Sequence, residues 1–179
     1  MENHEELKLI GINLIDIAEE ISQLVKTDQD IRVRMLEDPK SWDDSVDKHN
    51  TVRMKQIIKK IGWPTISKVG EMSSHNAWLL VQHADHDIEF QKYCLALMKN
   101  ELSGEIVPRD IAYLEDRVKV NTNQPQAYGT QFTNIDGVFT PREIEDLDHI
   151  DERRKEKGLG TLAEGTEEMN LIYKTKKSK

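Results

Sequence analysis

A regular stripe of apolar residues near the N-terminus constrains the fold more than any other feature of the sequence. From Leu7 onward, apolar residues recur in steps of three and four, the spacing that places side chains on one face of an α-helix. The pattern predicts one long helix that ends at about Glu37, because Pro39 disfavours helical geometry in the residue before it. Asp28 stands on the stripe where an apolar residue is due. The other members are Leu7, Ile10, Leu14, Ile17, Ile21, Leu24, Ile31 and Met35.

The remaining patterns predict a mainly α protein, a helical bundle of about four to five helices with a small β-hairpin. Residues 127–139 alternate and are rich in Thr, Phe, Tyr and Val, which is typical of a hairpin. "TPRE" after them resembles a capping box that opens a helix, and the segment beyond Gly158 is predicted to be weakly structured. We expect a single helical domain over 1–165 and a C-terminal segment, 166–179, with a flexible basic tail. The further helices are predicted at 44–61, 73–100, 108–118 and 141–157.

Composition and charge narrow the classes of function. The formal net charge is -8, which argues against the basic surface that nucleic-acid binding requires. No apolar run is long enough for a membrane span, and the acidic first residues do not fit the basic start and apolar block expected of a signal peptide. Cys94 is the single cysteine, so no disulfide within the chain is expected. These features predict a cytoplasmic protein without nucleic-acid or membrane partners, and they leave the oligomeric state open.

Several polar residues lie on helix stripes that otherwise face a core. Asp28, Asn50, His83 and Asp87 each occupy such an inward position in a predicted helix. Burying polar groups is costly unless they are paired, and helical bundles build functional sites from inward side chains of facing helices. The pattern predicts one interior polar site, whereas Asp85, His86 and Glu89 are expected to face solvent.

The residue types at these positions suit acid–base chemistry on a small-molecule substrate. Imidazole titrates near neutral pH and is the commonest general acid or base, so His83 is the predicted catalytic residue. Asp28 or Asp116 would orient the imidazole. Arg117 or Arg32 would hold an anionic group of the substrate, since guanidinium pairs well with carboxylate and phosphate.

Two other interpretations of the same residues stay open. In a structural network, Asp28 pairs with Arg32 and His83 with Asp87, each one helical turn apart, and Asp116 pairs with Arg117 or Arg109. In a metal site, a divalent metal is bound at His83, Asp87 or His86, as in metal-dependent phosphohydrolases named for a His-Asp pair. That scheme takes its further ligands from His49 or His75 and from Asp116.

Two more residue groups bear on the site. Cys94 follows His83 on the same predicted stripe, but its apolar neighbours favour a small core residue over a nucleophile. "YGTQ" contains Tyr128 and Gln131 around Gly129, which permits an unusual backbone angle. A hairpin carrying this motif would form a lid or wall of the polar site, or would simply pack on the helices.

The ordered motifs "DQxxR", "DxxN", "GWPT", "QHA", "DR" and "YGTQ" resemble a family of small bacterial domains of unknown function. The resemblance covers roughly residues 20–165. It implies a set of site positions but no reaction, and His86 and Asp87 are not among them. The implied positions are Asp28, Arg32, Asn50, Trp63, Gln82, His83, Asp116, Arg117, Tyr128, Gly129 and Gln131.

These observations together predict an enzyme without a cofactor that performs hydrolysis or group transfer on a small polar or anionic substrate. His83, Asp28 and Asp116 are the predicted catalytic residues. One alternative is the metal-dependent phosphohydrolase. The other is a non-catalytic protein that binds a nucleotide-like or peptide ligand. The predicted substrate-binding residues are Arg32, Asn50, Gln82, Arg117, Tyr128 and Gln131.

Overall fold

The structure, a computed structural model, describes residues 13–177. These residues are mainly helical with one small antiparallel hairpin, which confirms the predicted fold class. The part of the first predicted helix before Asn13 lies outside the described residues. The elements are α1 (Leu14–Glu37), α2 (Ser45–Ile61), α3 (Ile66–Val69), α4 (Glu71–Gln82), α5 (Ile88–Asn100), α6 (Pro108–Asn121), β1 (Phe132–Ile135), β2 (Val138–Pro141), α7 (Ile150–Glu156) and α8 (Leu162–Lys177), with a 3₁₀ turn at Pro39–Ser41.

The chain forms two compact units, with the boundary between Val107 and Pro108. The first contains α1 to α5, and the second contains α6, the hairpin, α7 and α8. The predicted single domain over 1–165 stays a prediction. None of the helices in residues 13–177 is both long and apolar enough to cross a membrane.

In the first unit, α1 packs against both α2 and α4, and these two also contact each other. Ser73 Oγ on α4 donates to the carbonyl of Ala18, and His83 contacts Asp28. Both pairs are 55 residues apart, so α4 runs parallel to α1. The pairs Glu20–Arg53 and Arg32–Asp47 show that α2 runs antiparallel to α1.

Between these three helices lies a closely packed apolar core. The stripe residues Leu14, Ile17, Ile21, Leu24 and Ile31 are buried as predicted. Gly62 ends α2 with a φ of 68°, a left-handed conformation that glycine adopts without strain.

The prediction of one continuous third helix over 73–100 is wrong, because the helix ends with α4 and a second helix, α5, begins at Ile88. The N–H groups of His83 and Ala84 are the last to bond back into α4, to the carbonyls of Leu79 and Val81 respectively. Asp87 then caps α5, since its side chain accepts from the N–H of Phe90. The apolar period continues across the break, so the spacing alone does not reveal it. Asp87 therefore lies at a helix start and binds Lys55, and it does not pair with His83 in the way the structural interpretation predicted.

The second unit contains the predicted hairpin, in which β1 pairs antiparallel with β2. The predicted helix from Pro141 is wrong, since Thr140 pairs with Thr133 in the hairpin. The stretch that follows is held by Gln126, whose N–H donates to the carbonyl of Glu143 and whose carbonyl accepts from Glu145. As a result α7 starts only at Ile150.

The weak structure predicted beyond Gly158 is also wrong, because α8 occupies Leu162–Lys177. Its start is a capping box formed by Thr161 and Glu164. The Glu164 carboxylate accepts from the N–H of Thr161, and the Thr161 hydroxyl accepts from the N–H of Glu164. The sequence signal "TLAE" was present but overlooked.

We expect Asp87→Ala to destabilise the protein by about 1 kcal/mol, the usual cost of losing a helix N-cap. The hydrogen bond from Lys55 and that from the N–H of Phe90 lower the pKa of Asp87. A lowered folded-state pKa stabilises the fold above the unfolded-state pKa of about 4, and this contribution is lost as the pH falls through the folded-state value. Urea unfolding at pH 7 and at pH 3 measures the difference. The exposed neighbour His86→Ala is the control and should change both values far less, since the charge of His86 is the smallest of the influences on the pKa of Asp87. An Asp87→Ala variant as stable as the wild type at pH 7 would contradict the capping role.

Candidate functional site

A buried carboxylate and a partly exposed imidazole form the centre of the candidate site. Asp28 on α1 is fully buried, and 18% of the His83 side chain is exposed. His83 Nδ1 lies 3.0 Å from both carboxylate oxygens. Because an ionised carboxylate only accepts hydrogen bonds, Nδ1 carries the proton in this contact. Nε2 is then the basic nitrogen of neutral His83, and it makes no hydrogen bond with any residue that the structure describes.

Arg32 connects Asp28 to a second carboxylate. Its Nη1 lies 3.1 Å from Asp28 Oδ1, an ion pair whose N–H direction does not meet the geometry of a hydrogen bond. Its Nη2 donates to both oxygens of Asp47 at 3.0 and 3.2 Å. The guanidinium also lies over the ring of Trp42, 5.1 Å from its centroid, and Gln29 donates to Asp28 at 2.7 Å.

Burial raises the pKa of Asp47, although Arg32 acts in the opposite direction. Sequence reasoning did not select Asp47 as a site residue. A signal was present, since Asp47 precedes Asn50 by three positions on the stripe that continues through Met54. The guanidinium of Arg32 is thus engaged by two carboxylates within the protein.

Asn50 and Gln82 lie at the same level of the first unit as the Asp28–His83 pair. Gln82 directly precedes His83 at the end of α4. The helices α1 and α2 are antiparallel, and Arg32 on α1 contacts Asp47 on α2. One turn toward the N-terminus of α1 therefore lies level with one turn toward the C-terminus of α2, which places Asp28 and Asn50 at the same level. Both amides are buried, and Asn50 Nδ2 and Gln82 Oε1 have no hydrogen-bond partner.

The other predicted site residues belong to the second unit, where Asp116 organises a loop. The carboxylate of Asp116 is fully buried. It accepts hydrogen bonds from the N–H groups of Ala127, Tyr128 and Thr130 and from the Thr130 hydroxyl, at 2.7 to 3.2 Å. Burial raises the pKa of Asp116, and the N–H donors oppose that shift. Both carboxylate oxygens of Asp116 are therefore occupied by hydrogen bonds from the loop that contains "YGTQ".

Arg117 and Gln131 hold the same loop by side-chain contacts. Arg117 Nη1 donates to Gln131 Oε1 at 3.1 Å. Gln131 Nε2 donates to the Thr130 hydroxyl at 3.0 Å. The side chain of Gln126 binds both backbone groups of Gln131.

Tyr128 lies in this loop with its ring below Lys157, whose Nζ is 5.9 Å from the ring centroid. Burial raises the pKa of Tyr128 to about 12. Its carbonyl accepts from Arg154, a buried arginine that sequence reasoning missed. The sequence alone does not indicate which of the adjacent residues Arg153 and Arg154 is buried.

The geometry gives little support to a metal site or to Cys94 as a nucleophile. Within residues 13–177, no three His, Cys, Asp or Glu side chains are grouped so that they could hold a metal ion. His86 is exposed, and Asp87 binds Lys55. Cys94 is fully buried, and burial raises the pKa of its thiol, as expected for a core residue. The divalent metal at His83, Asp87 or His86 stays a prediction.

Fold and site define a small helical protein with an interior carboxylate–imidazole pair. The chain belongs to the family of unknown function DUF6624, whose model matches residues 15–177. This confirms the resemblance to an uncharacterised domain family. No curated protein and no solved structure matches the chain.

The contact with Asp28 predicts an unusual tautomer of His83. Neutral His83 should carry its proton on Nδ1, because only a protonated Nδ1 can donate to the carboxylate. Two-bond ¹H–¹⁵N spectra of histidine-labelled protein identify the tautomer, and loss of the signal in His83→Gln assigns it. Exposed His86 is the control and has no carboxylate at Nδ1. An Nε2-protonated His83 would contradict the contact.

The "YGTQ" loop predicts unequal effects for two glycine substitutions. Gly129 and Gly137 have φ values of 65° and 88°, so alanine should cost about 1–2 kcal/mol at each position. At Gly129 the added methyl would also lie 2.6 Å from Leu162 Cδ1 and 3.2 Å from the Cδ1 atoms of Ile144 and Ile150, whereas nothing lies within 4 Å at Gly137. Overpacking should make Gly129→Ala about 1–3 kcal/mol worse than Gly137→Ala. Urea unfolding of both variants measures this, and equal losses would show that the loop is not packed against these side chains.

Proposed function

We propose that the protein is an enzyme that performs hydrolysis or group transfer on a small polar substrate, with His83 as the general acid–base residue. One observation carries the proposal: Asp28 holds Nδ1 of His83 from the buried side, while Nε2 has no partner among the described residues. A base oriented by a buried carboxylate, with its second nitrogen accessible, is the arrangement that general-base catalysis uses. We place the enzyme in the cytoplasm of a bacterium.

In the proposed reaction, Nε2 of neutral His83 accepts the proton of a water or hydroxyl nucleophile as that oxygen attacks the substrate. The imidazolium that forms is stabilised by the ionised carboxylate of Asp28. Nε2 then donates the proton to the leaving group, and His83 returns to its neutral state. No net proton is gained or lost by the enzyme in the cycle.

Arg32 has a positioning role in this proposal. It neutralises part of the charge on Asp28 and ties that carboxylate to Asp47 on α2. Asp116, Arg117, Tyr128 and Gln131 are engaged in holding their own loop, so their predicted catalytic and substrate contacts are not part of the proposed reaction.

The proposal is tested by a ligand screen followed by kinetics. Thermal-shift measurements over nucleotides, amino acids and sugar phosphates identify compounds that bind, and each hit is then assayed for turnover. We expect His83→Gln to lower kcat by at least about 100-fold, the usual contribution of a general acid or base, with a Tm within a few degrees of the wild type. His86→Gln is the matched control and should keep full activity.

Two results would refute the catalytic role. If His83→Gln turns over the hit at the wild-type rate, His83 is not the acid–base residue. If hits bind tightly and none is turned over, the protein is the non-catalytic ligand-binding protein predicted as an alternative. That alternative draws on the buried amides of Asn50 and Gln82, each of which has one unpaired polar atom, Asn50 Nδ2 and Gln82 Oε1.

A further inference from the structure

We infer that the site binds a neutral amide-type group, one that presents a carbonyl oxygen and an N–H together, and that Asn50 and Gln82 recognise it. The inference rests on the proposed site at His83 and specifies the class of substrate. Amides, ureides and the edges of nucleobases all share this chemistry. The inference narrows the predicted substrate class from polar or anionic molecules to neutral polar molecules.

The first support is a contrast among the buried side-chain amides of residues 13–177. Gln91 donates to the carbonyls of Val81 and Gln82. Gln126 and Gln131 use both ends of their amides in the loop of the second unit. All three amides thus make hydrogen bonds within the protein, which is the usual state of a buried amide.

Asn50 and Gln82 differ from these three. They are 2% and 7% exposed, yet Asn50 Nδ2 and Gln82 Oε1 bind no other group of the described chain. A buried polar atom without a partner costs free energy. A ligand that accepts from one amide and donates to the other would recover that cost.

The second support is placement. Asp28, Asn50 and the Gln82–His83 pair come from three helices that contact one another. The direction of these helices puts the residues at one level, as described above. The two amides, each with one unpaired atom, therefore lie at the level of the residue proposed to carry the acid–base chemistry.

The third support is the charge at that level. Asp28 and Asp47 contribute two carboxylates, and Arg32, the cation between them, is bound to both. With His83 neutral the group has a surplus of one negative charge, and with His83 protonated it is balanced. In neither state is there a surplus cation to attract an anion, whereas a neutral amide meets no repulsion.

Binding is tested with N-methylacetamide as the probe and with acetate and inorganic phosphate as the anionic comparison. Each is titrated to roughly 100 mM, because fragments this small bind weakly. The readout is the ¹H–¹⁵N signals of the side-chain amides, assigned with Asn50→Leu and Gln82→Met. We expect N-methylacetamide to shift the Asn50 and Gln82 signals in a saturable way and the anions not to do so. An absence of shifts with the amide, or equal shifts with acetate, would overturn the inference.

Stability provides a test that needs no ligand. Gln82→Met removes an amide with an unpaired oxygen, so the Tm should be unchanged or raised. Gln91→Met is the matched control, since it removes an amide that is also buried and whose hydrogen bonds are made, and it should lower the Tm by several degrees. If Gln82→Met lowers the Tm as much as Gln91→Met does, Gln82 is structural and the inference fails.

These results are separable from those that test catalysis. Saturable amide binding, together with screen hits that bind tightly and are never turned over, would refute the catalytic role of His83 and leave the ligand class intact. Turnover of an anionic substrate that depends on His83, with no amide binding, would refute the ligand class and leave catalysis intact. His83→Gln should keep the amide shifts, because Asn50 and Gln82 remain in place.

Discussion

The structure of the first unit depends on the buried carboxylate of Asp28. A charge placed without partners in the middle of an apolar stripe would be too costly to fold. The contacts of Asp28 with His83 and Arg32, and the further contact of Arg32 with Asp47, remove that penalty. Since these partners come from α4, α1 and α2, the same interactions that make the burial tolerable also fix the level of three helices relative to one another. The polar site is a consequence of this one requirement.

The two fully buried aspartates of the described chain solve the same problem in different ways. Asp116 is satisfied by N–H groups of a single loop and by one hydroxyl, so both of its carboxylate oxygens are occupied by that loop. Asp28 is satisfied by side chains. One of these, His83, is partly exposed and keeps a nitrogen without a partner. A buried charge held by backbone stabilises structure, whereas one held by titratable side chains can take part in chemistry.

Local sequence patterns gave wrong predictions where one pattern is compatible with two different structures. "TPRE" and "TLAE" both fit a capping box, but only Thr161 and Glu164 open a helix, because Thr140 is engaged in the hairpin. Asp87 fitted an inward helical position and is instead an N-cap. In each case a contact with a distant or following segment decided between conformations that the local sequence allows equally.

Periodicity by itself determined that the protein is mainly helical and that Asp28 and Asn50 point inward, since a helix repeats every 3.6 residues whatever its partners are. It also selected His83, although the helix that was expected to carry it ends there. Only the tertiary structure decided which polar residues meet: Asp28 with His83 and Arg32, Asp87 with Lys55, and Asp116 with its loop. It likewise decided which buried amides are left unpaired. Pairing depends on the direction and level of neighbouring helices, and a one-dimensional period contains no information about either.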